Sequence, residues 1–413
     1  MLKQILNYLK NERPAKSFYG LDGLRAIAIL LVLCHHGPKV FYWEPVFKPY
    51  PFLLDFFRPI YFNGRLGVDL FFVLSGFLIT TQLLKFFELG KPISQLWRYF
   101  ASRIFRILPA FYIMLLFVQF ITPHIPQIAS APVLATGLTY ADIPRLIWVQ
   151  YLFMQDFFGL TFLPLFWTLG VEEKFYLLAP LLVGPIYLKF KNKRKILLIS
   201  LLVLLLAPML VRVLYLLRFS LASVREHYGM FRFTEFHMRC DGLLMGLFCA
   251  FLYRYYRDTP CLSHPQSAKI LLGLGTVWTL LFLGCMPFGV PPDFMTMQWS
   301  GLLSVVGFGM LVLGAVLLPN EQSRWLGSHP LHFVARISYS LYITHFLWQA
   351  PLTLWGLQQV GPLFWPLEPG QTTLYFVCFM AIYMTVSIGA ATLYFYTIEK
   401  PFLLLKDRWF KRG

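Results

Sequence analysis

Residues 21–37 have the sequence LDGLRAIAILLVLCHHG, an apolar run that holds Arg25 near its start and His36 near its end. A charged side chain inside a membrane-spanning helix costs about 2.5–3.5 kcal/mol for arginine, so such residues are usually retained for function. The two residues are 11 positions apart, which puts them on one helix face and roughly 16 Å apart along the axis. We therefore expect a membrane helix with a fixed cation near one surface and a titratable imidazole deeper in the bilayer.

The composition indicates an integral membrane protein with an all-α fold. Of the 413 residues, 58% are hydrophobic and 13% are charged, whereas a soluble domain has about 25% charged residues. The net charge of +17 lies in short clusters between apolar runs, as in the cytoplasmic loops of multi-spanning proteins. We therefore predict membrane lipids, and no nucleic acid, as partners of the basic side chains. The six cysteines have no CxxC or other metal-ligand spacing, so no metal site is predicted.

The apolar runs predict one polytopic bundle of about ten transmembrane helices. The predicted spans are 20–38, 65–85, 107–124, 166–188, 196–218, 237–256, 268–287, 297–318, 336–358 and 372–397. The single domain covers 1–413, with an interfacial segment at 1–19, the ten-helix core at 20–397 and a cytoplasmic basic tail at 398–413. Both termini are predicted to be cytoplasmic, because most basic connections then share one side.

Two connections leave the topology open. Residues 140–164 are apolar enough for a re-entrant or interfacial segment, and an eleventh span there would invert the second half of the chain. Residues 219–236 hold Arg225 and Arg232 on the predicted outer side, against the positive-inside rule. Either the spans differ there or these arginines line a functional cavity.

Several polar side chains are candidates for chemistry. Arg103 and Arg106 are three residues apart at the predicted cytoplasmic start of the third span, and neighbouring guanidinium groups suit a phosphate-bearing ligand or lipid head groups. Glu172 follows Trp167 at the start of an apolar run, so it is either half of a structural ion pair or a catalytic group. The remaining candidates lie inside or at the ends of predicted spans: Asp69, Ser75, Arg239, Asp241, Tyr339 and His345.

Seven segments, in order along the chain, resemble the motifs of the acyltransferase-3 family of membrane O-acyltransferases. They are LDGLRAIAILLVLCHHG (21–37), GVDLFFVLSGFLI (67–79), SRIFRILPAFY (102–112), WTLGVEEKFYLL (167–178), RCDGLLMG (239–246), ISYSLYITHF (337–346) and IEKPF (398–402). The resemblance implies ten core spans, a cytoplasmic acyl-CoA donor and an acceptor hydroxyl on a sugar at the far side. It also implies His36 as the essential base, donor binding by Arg25, Arg103 and Arg106, and Glu172 as the motif glutamate. We expect the stand-alone form, without a further soluble domain.

These observations predict an O-acyltransferase of the bacterial inner membrane. It would move an acetyl or short acyl group from cytoplasmic acyl-CoA to a hydroxyl of a surface or lipid-linked glycan, with no permanently bound cofactor. The predicted catalytic residues are His36, Arg25 and Glu172; the donor-binding residues are Arg103, Arg106, Asp69 and Ser75; acceptor or supporting residues are Trp167, Arg239, Asp241, Tyr339 and His345. Two alternatives remain: a transporter or flippase of a lipid-linked sugar, and an O-acyltransferase of a macrolide-like metabolite.

Overall fold

The structure, a computed structural model, is all-helical over the part of the chain that it describes. Those residues are 18–37, 60, 63–90, 92–121, 124, 147–158, 166–190, 192–218, 235–285, 294–355 and 369–411. The long helices are α1 (Tyr19–His36), α2 (Leu66–Glu88), α3 (Pro92–Ile121), α6 (Trp167–Phe190), α7 (Arg194–Arg218), α9 (Asp241–Tyr256), α11 (Pro265–Cys285), α12 (Phe294–Leu317), α14 (Ser338–Trp355) and α15 (Pro369–Tyr394). The shorter helices are α4 (Trp148–Tyr151), α5 (Gln155–Phe158), α8 (Phe236–Arg239), α10 (Pro260–Ser263), α13 (His329–Arg336) and α16 (Lys400–Lys411).

Six stretches of these helices are long and apolar enough to cross a membrane. They are Tyr19–His36, Leu66–Glu88, Gln95–Ile121, Arg194–Tyr215, Gln266–Leu283 and Phe376–Phe410. The protein is therefore a helical membrane protein. A total of about ten spans and cytoplasmic termini stay predictions, although the long helices follow the predicted spans in order. The predicted interfacial segment lies almost wholly outside the described residues, as do Arg225 and Arg232.

Two helices extend beyond their predicted bounds. The third span was predicted to begin at 107, but α3 begins at Pro92, because no glycine or proline interrupts the chain between 93 and 108. The basic tail was predicted to follow the last span, but the chain continues through a π-helical turn, Phe395–Glu399, into α16. The Trp409 ring of α16 lies edge-on to Phe105 of α3, with ring centroids 5.3 Å apart.

The described part of the apolar segment 140–164 forms no eleventh helical span. This part, 147–158, consists of the one-turn helices α4 and α5, and the chain between them includes Phe153 at φ 55°. This segment is held against α6 by Lys174, whose Nζ donates to the Phe153 carbonyl at 2.7 Å and to Asp156 Oδ1 at 2.5 Å. The ammonium group of Lys174 thus finds its partners in the segment that precedes α6.

Helices α2 and α9 pack closely because glycines line their contact. A Cβ added to Gly76 of α2 would collide with the backbone of Leu243, and one added to Gly246 of α9 would collide with the backbone of Val73. Small residues allow helix backbones to approach closely in membranes, where packing supplies much of the association free energy. This contact fixes α2, and α2 carries one wall of the site described below.

We expect Gly246→Leu to destabilise the protein by about 1–3 kcal/mol or more, because the added side chain overfills this contact. Thermal unfolding of the purified protein in detergent or lipid measures the effect. The control is Gly273→Ala on α11, where an added Cβ meets nothing within 4 Å. That change should leave the free energy of unfolding unchanged or raise it by up to about 1 kcal/mol. Equal stability of both variants would contradict the packing described here.

Candidate functional site

A cavity of about 350 Å³ lies among α1, α2, α3, α6 and α14. Its wall on α2 consists of Val68, Phe71, Phe72, Ser75, Leu78 and Gln82. These positions recur every three or four residues, so they occupy one face of the helix. From the first to the last, the wall extends about 21 Å along the helix axis at roughly 1.5 Å per residue. The cavity therefore extends along much of α2.

Three arginines line this cavity, one from α1 and two from α3. Arg25, Arg103 and Arg106 lie close enough for the charges of the latter two to repel that of the first. Arg103 donates to Gln82 Oε1 at 3.2 Å and lies over the Tyr176 ring at 5.2 Å. Asp22 Oδ1 is 4.0 Å from the Arg25 guanidinium. The structure thus brings together the three arginines that were predicted to act together.

Glu172 supplies the carboxylate among the side chains that line the cavity. Its Oε1 accepts a hydrogen bond from Ser75 Oγ at 2.7 Å, which joins α6 to α2 across the cavity. With three guanidinium groups and one carboxylate, the charged lining side chains sum to +2 if all are ionised. Guanidinium groups bind phosphate through paired, charge-assisted hydrogen bonds, so this cavity suits a polyanionic ligand.

Two buried histidines meet beside the cavity. His345 Nε2 of α14 is 3.3 Å from His36 Nδ1 of α1, and the two ring centroids are 5.2 Å apart. The side chain of Gln349 donates to the backbone carbonyl of His36 at 2.6 Å, so α14 holds the end of α1 at two points. The sequence placed each histidine in a span, and the structure shows that they contact each other.

The histidine pair and the cavity are joined by Tyr342. Its ring lines the cavity and lies 6.0 Å from the His345 ring, centroid to centroid. Its hydroxyl shares a 2.6 Å hydrogen bond with the hydroxyl of Thr168, which also lines the cavity. The sequence placed His36 deeper in the bilayer than Arg25, and His36 is not among the side chains that line the cavity. Tyr342 adjoins both the cavity and the His345 ring, and His345 in turn contacts His36.

Asp69 does not line the cavity, although it was predicted to bind the donor. Its Oδ1 accepts a hydrogen bond at 2.8 Å from the Arg239 guanidinium. That guanidinium lies over the Trp167 ring at 5.4 Å, and the same ring contacts Phe72 edge-on. Asp69, Arg239 and Trp167 therefore form a separate cluster, called the Trp167 cluster below, which contacts the cavity through the Phe72 ring.

Asp241 pairs with Arg212 and does not belong to the Trp167 cluster. Its two carboxylate oxygens accept hydrogen bonds from Arg212 at 2.7 and 3.0 Å, and both side chains are almost wholly buried. Arg212 also donates to the Met238 carbonyl. The structure thus places Asp241 in an ion pair between α7 and α9, and its acceptor or supporting role stays a prediction. The sequence signal for Arg212 was its position well inside a predicted span.

We expect Asp241→Asn to destabilise the fold by about 3–5 kcal/mol, because it leaves a buried guanidinium without its counter-charge. The matched control is Asp258→Asn, since Asp258 pairs with Arg257 at 3.5 Å on the surface. Surface pairs contribute about 0–1 kcal/mol. Urea or thermal unfolding of the purified variants measures both changes. Similar midpoints for the two variants would show that the Arg212 pair does not stabilise the fold.

The sequence did not predict some of the residues that line the cavity, and it predicted the role of others only in part. Tyr339 lines the cavity with its ring while its hydroxyl donates to the Ile107 carbonyl at 3.0 Å. Thr168 and Tyr176 were not predicted, yet they lie four residues to either side of Glu172 and share its helix face. This four-residue spacing from Glu172 could have identified both residues from the sequence. Within the described residues, no group of three histidine, cysteine or acidic side chains is placed to hold a metal ion.

The fold and the cavity define a helical membrane protein with a basic site among its helices. A family profile described as an acyltransferase domain matches residues 18–392. The chain therefore belongs to the acyltransferase-3 family, which confirms the resemblance inferred from the seven motifs.

Curated relatives agree with this family. A peptidoglycan O-acetyltransferase OatA of Listeria monocytogenes is 29% identical over 356 residues, which is 84% of this chain and 50% of the relative. A putative O-acetyltransferase of Staphylococcus aureus strain COL is 27% identical over 335 residues, 79% of this chain and 50% of the relative. The O-acetyltransferase OatA of Staphylococcus aureus strain NCTC 8325 is 26% identical over 337 residues, with the same two coverages of 79% and 50%. The chain thus spans about half the length of the curated relatives it matches. No solved structure matches.

Proposed function

We propose that this chain is an O-acyltransferase of the bacterial inner membrane, which moves an acetyl or short acyl group from cytoplasmic acyl-CoA to a glycan hydroxyl. The observation that carries the proposal is one cavity that is lined by cations and adjoins a pair of buried histidines. Three guanidinium groups line it, and its Tyr342 wall backs onto the pair His36 and His345. A cationic binding region that leads to a buried base is the arrangement that group transfer from a phosphorylated carrier requires.

The donor fits the shape and the charge of the cavity. Its phosphates would pair with the guanidinium groups of Arg25, Arg103 and Arg106 at the predicted cytoplasmic end. The thin pantetheine arm would follow the α2 wall past Ser75 toward Tyr342, over the roughly 21 Å that this wall extends. The nucleotide is too bulky to follow, so the thioester alone would reach the histidines.

In the proposed reaction, His36 acts as the general base. It accepts the proton of the acceptor hydroxyl while the hydroxyl oxygen forms a bond to the thioester carbonyl carbon. The carbon–sulfur bond then breaks, CoA leaves as a thiolate that recovers the proton, and the glycan ester remains. Thr168 and Tyr342 both line the cavity and their hydroxyl groups are 2.6 Å apart, so an O–H donor of this pair would stabilise the oxyanion. Displacement of the Tyr342 ring is part of this proposal.

The Trp167 cluster supports a sugar acceptor. An indole face offers an apolar platform, and the nearby Arg239 and Asp69 offer hydrogen-bonding groups, the mixture of surfaces that small polar ligands need. The named activity of the Listeria relative, peptidoglycan O-acetylation, supports the same acceptor class. We therefore propose a surface or lipid-linked glycan as the acceptor and place it on the predicted outer side.

The proposal is tested with the purified protein in lipid vesicles that contain a lipid-linked or peptidoglycan-like glycan. Acetyl-CoA labelled in its acetyl group is supplied, and the label in the glycan is measured as an alkali-labile ester. We expect label transfer by the wild-type protein and none by His36→Ala. Movement of the unmodified glycan across the vesicle membrane without acylation would replace this proposal with a transporter, and transfer by both proteins would remove His36 from the chemistry.

A further inference from the structure

His345, the second histidine of the pair, lies where it can hydrogen-bond to His36. His345 is fully buried on α14 and His36 is nearly so on α1, and 309 residues separate them in the sequence. Their rings are tilted by 47° with Nε2 of His345 directed at Nδ1 of His36 over 3.3 Å. Burying two imidazoles in apolar surroundings is costly unless their nitrogens are hydrogen-bonded. The function of this contact therefore depends on which ring nitrogens carry protons.

Backbone carbonyls decide which nitrogens carry protons. Nδ1 of His345 lies 3.0 Å from the Leu341 carbonyl oxygen, which can only accept, so Nδ1 is the donor. In the neutral ring, Nε2 of His345 then carries a lone pair. Nδ1 of His36 lies 3.0 Å from the Val32 carbonyl oxygen, so this nitrogen is also a donor. Its N–H is shared between Val32 O and His345 Nε2, and the basic lone pair of His36 is on Nε2.

We propose that His345 is the positioning residue of His36: it accepts the Nδ1–H of His36, presents Nε2 of that ring as the base, and stabilises the imidazolium formed during transfer. The inference deepens the proposed function and rests on it for the role of His36. The proton taken from the acceptor hydroxyl stays on His36 Nε2 until CoA thiolate recovers it. Meanwhile the positive charge is shared through the Nδ1–H bond to His345, the part that a carboxylate plays in other acid–base pairs.

Few other titratable groups face His36 among the described residues. On α1 and on the helices that pack against its end, the neighbouring titratable groups are His35, Cys34, Tyr342 and Tyr383. At the start of α2, the charged residue Arg65 follows Gly64, which packs against Leu31 and His35 of α1. Further along α2, Asp69 is bonded to Arg239, and on α13, His332 contacts Asp22 near the opposite end of α1. Residues 301–317 of α12 contain no titratable side chain. His345 is therefore the group whose removal should alter the protonation of His36 most.

The test compares two substitutions of His345 that differ in their ability to accept a hydrogen bond. His345→Phe keeps a ring but removes the acceptor, and His345→Gln keeps an acceptor oxygen. We expect His345→Phe to lower kcat for acetyl transfer by about 10–100-fold, with KM for acetyl-CoA within about twofold of wild type. His345→Gln should recover a large part of that loss. The acid limb of the kcat–pH profile should move about one pH unit lower in His345→Phe, because the imidazolium of His36 has lost its acceptor.

A second readout does not require activity. Nuclear magnetic resonance of histidine-labelled protein, with His36→Ala as the assignment control, gives the titration midpoint of His36 directly. We expect a midpoint about one pH unit lower in folded His345→Phe than in wild type. An unchanged midpoint and an unchanged acid limb would overturn the positioning role, even if kcat falls. If wild-type protein transfers no acetyl group but the midpoint shifts, the proposed function has failed while the coupling of the two histidines stands.

Discussion

Substitution of His36 by alanine is expected to abolish acetyl transfer, with kcat lowered by at least about 10²–10⁴-fold. The reason is that His36, with its Nδ1–H held by Val32 O and His345, is the proposed base beside the cavity. Label transfer from acetyl-CoA to glycan by purified protein measures the effect. The variant should still fold, because the hydrogen bond from Gln349 to the backbone carbonyl of residue 36 is kept. It leaves Nε2 of the buried His345 without its partner, at a cost of about 1–3 kcal/mol, so transfer is expressed per amount of folded protein.

The neighbouring histidine provides the control. His35 is one position away, so its side chain points roughly 100° from that of His36 around the helix. His35→Ala should keep transfer within a few-fold of wild type, which separates a specific role of His36 from a general effect of losing a histidine at this helix end. Equal loss in both variants would assign the effect to the structure of the helix end and would contradict the role of His36.

The second large effect concerns donor binding. We expect Arg106→Ala to raise KM for acetyl-CoA by about 10–100-fold, since a hydrogen bond to a charged group contributes about 1.5–3 kcal/mol. Arg25→Ala should act in the same direction. Arg106→Lys should recover part of the affinity, because lysine keeps the charge but loses the paired N–H geometry that suits phosphate. Steady-state kinetics with varied acetyl-CoA give these values, and added salt should weaken donor binding in the wild type.

A truncated donor separates binding from folding. Acetyl-pantetheine keeps the thioester and the arm but has no phosphate to pair with the guanidinium groups. Wild type and Arg106→Ala should therefore use acetyl-pantetheine with the same kcat/KM, although they differ strongly with acetyl-CoA. If the variant loses the same factor with both donors, the arginine supports the structure of the cavity, and the assignment of the donor phosphates to this end is wrong.

Local sequence patterns predicted the helices and part of the site well. The apolar runs placed the long helices because each run is long enough to fill a bilayer. The three-residue spacing of Arg103 and Arg106 put them on one helix face, and both line the cavity with Arg25. The segment 140–164 was ambiguous because its apolarity suits both a span and packing against α6. The anchoring of that segment depends on Lys174, a contact across the fold.

Contacts between distant residues could not be predicted from one sequence. Each of Asp69 and Asp241 needed a cationic partner, but several arginines were equally suitable. The structure pairs Asp69 with Arg239 and Asp241 with Arg212. The contact of His36 with His345 likewise depends on how α14 packs against α1, since no local spacing connects residues 309 positions apart. That Tyr342 adjoins both the cavity and the His345 ring follows from the same packing.

The most direct test of the account is a structure of the protein with a non-hydrolysable acetyl-CoA analogue in which a methylene group separates the sulfur from the carbonyl. We predict that the diphosphate lies on Arg25, Arg103 and Arg106, that the arm follows the α2 wall, and that the acetyl end contacts Tyr342 with a passage open to His36. An analogue bound with its nucleotide beside Arg239, or outside this cavity altogether, would contradict the account.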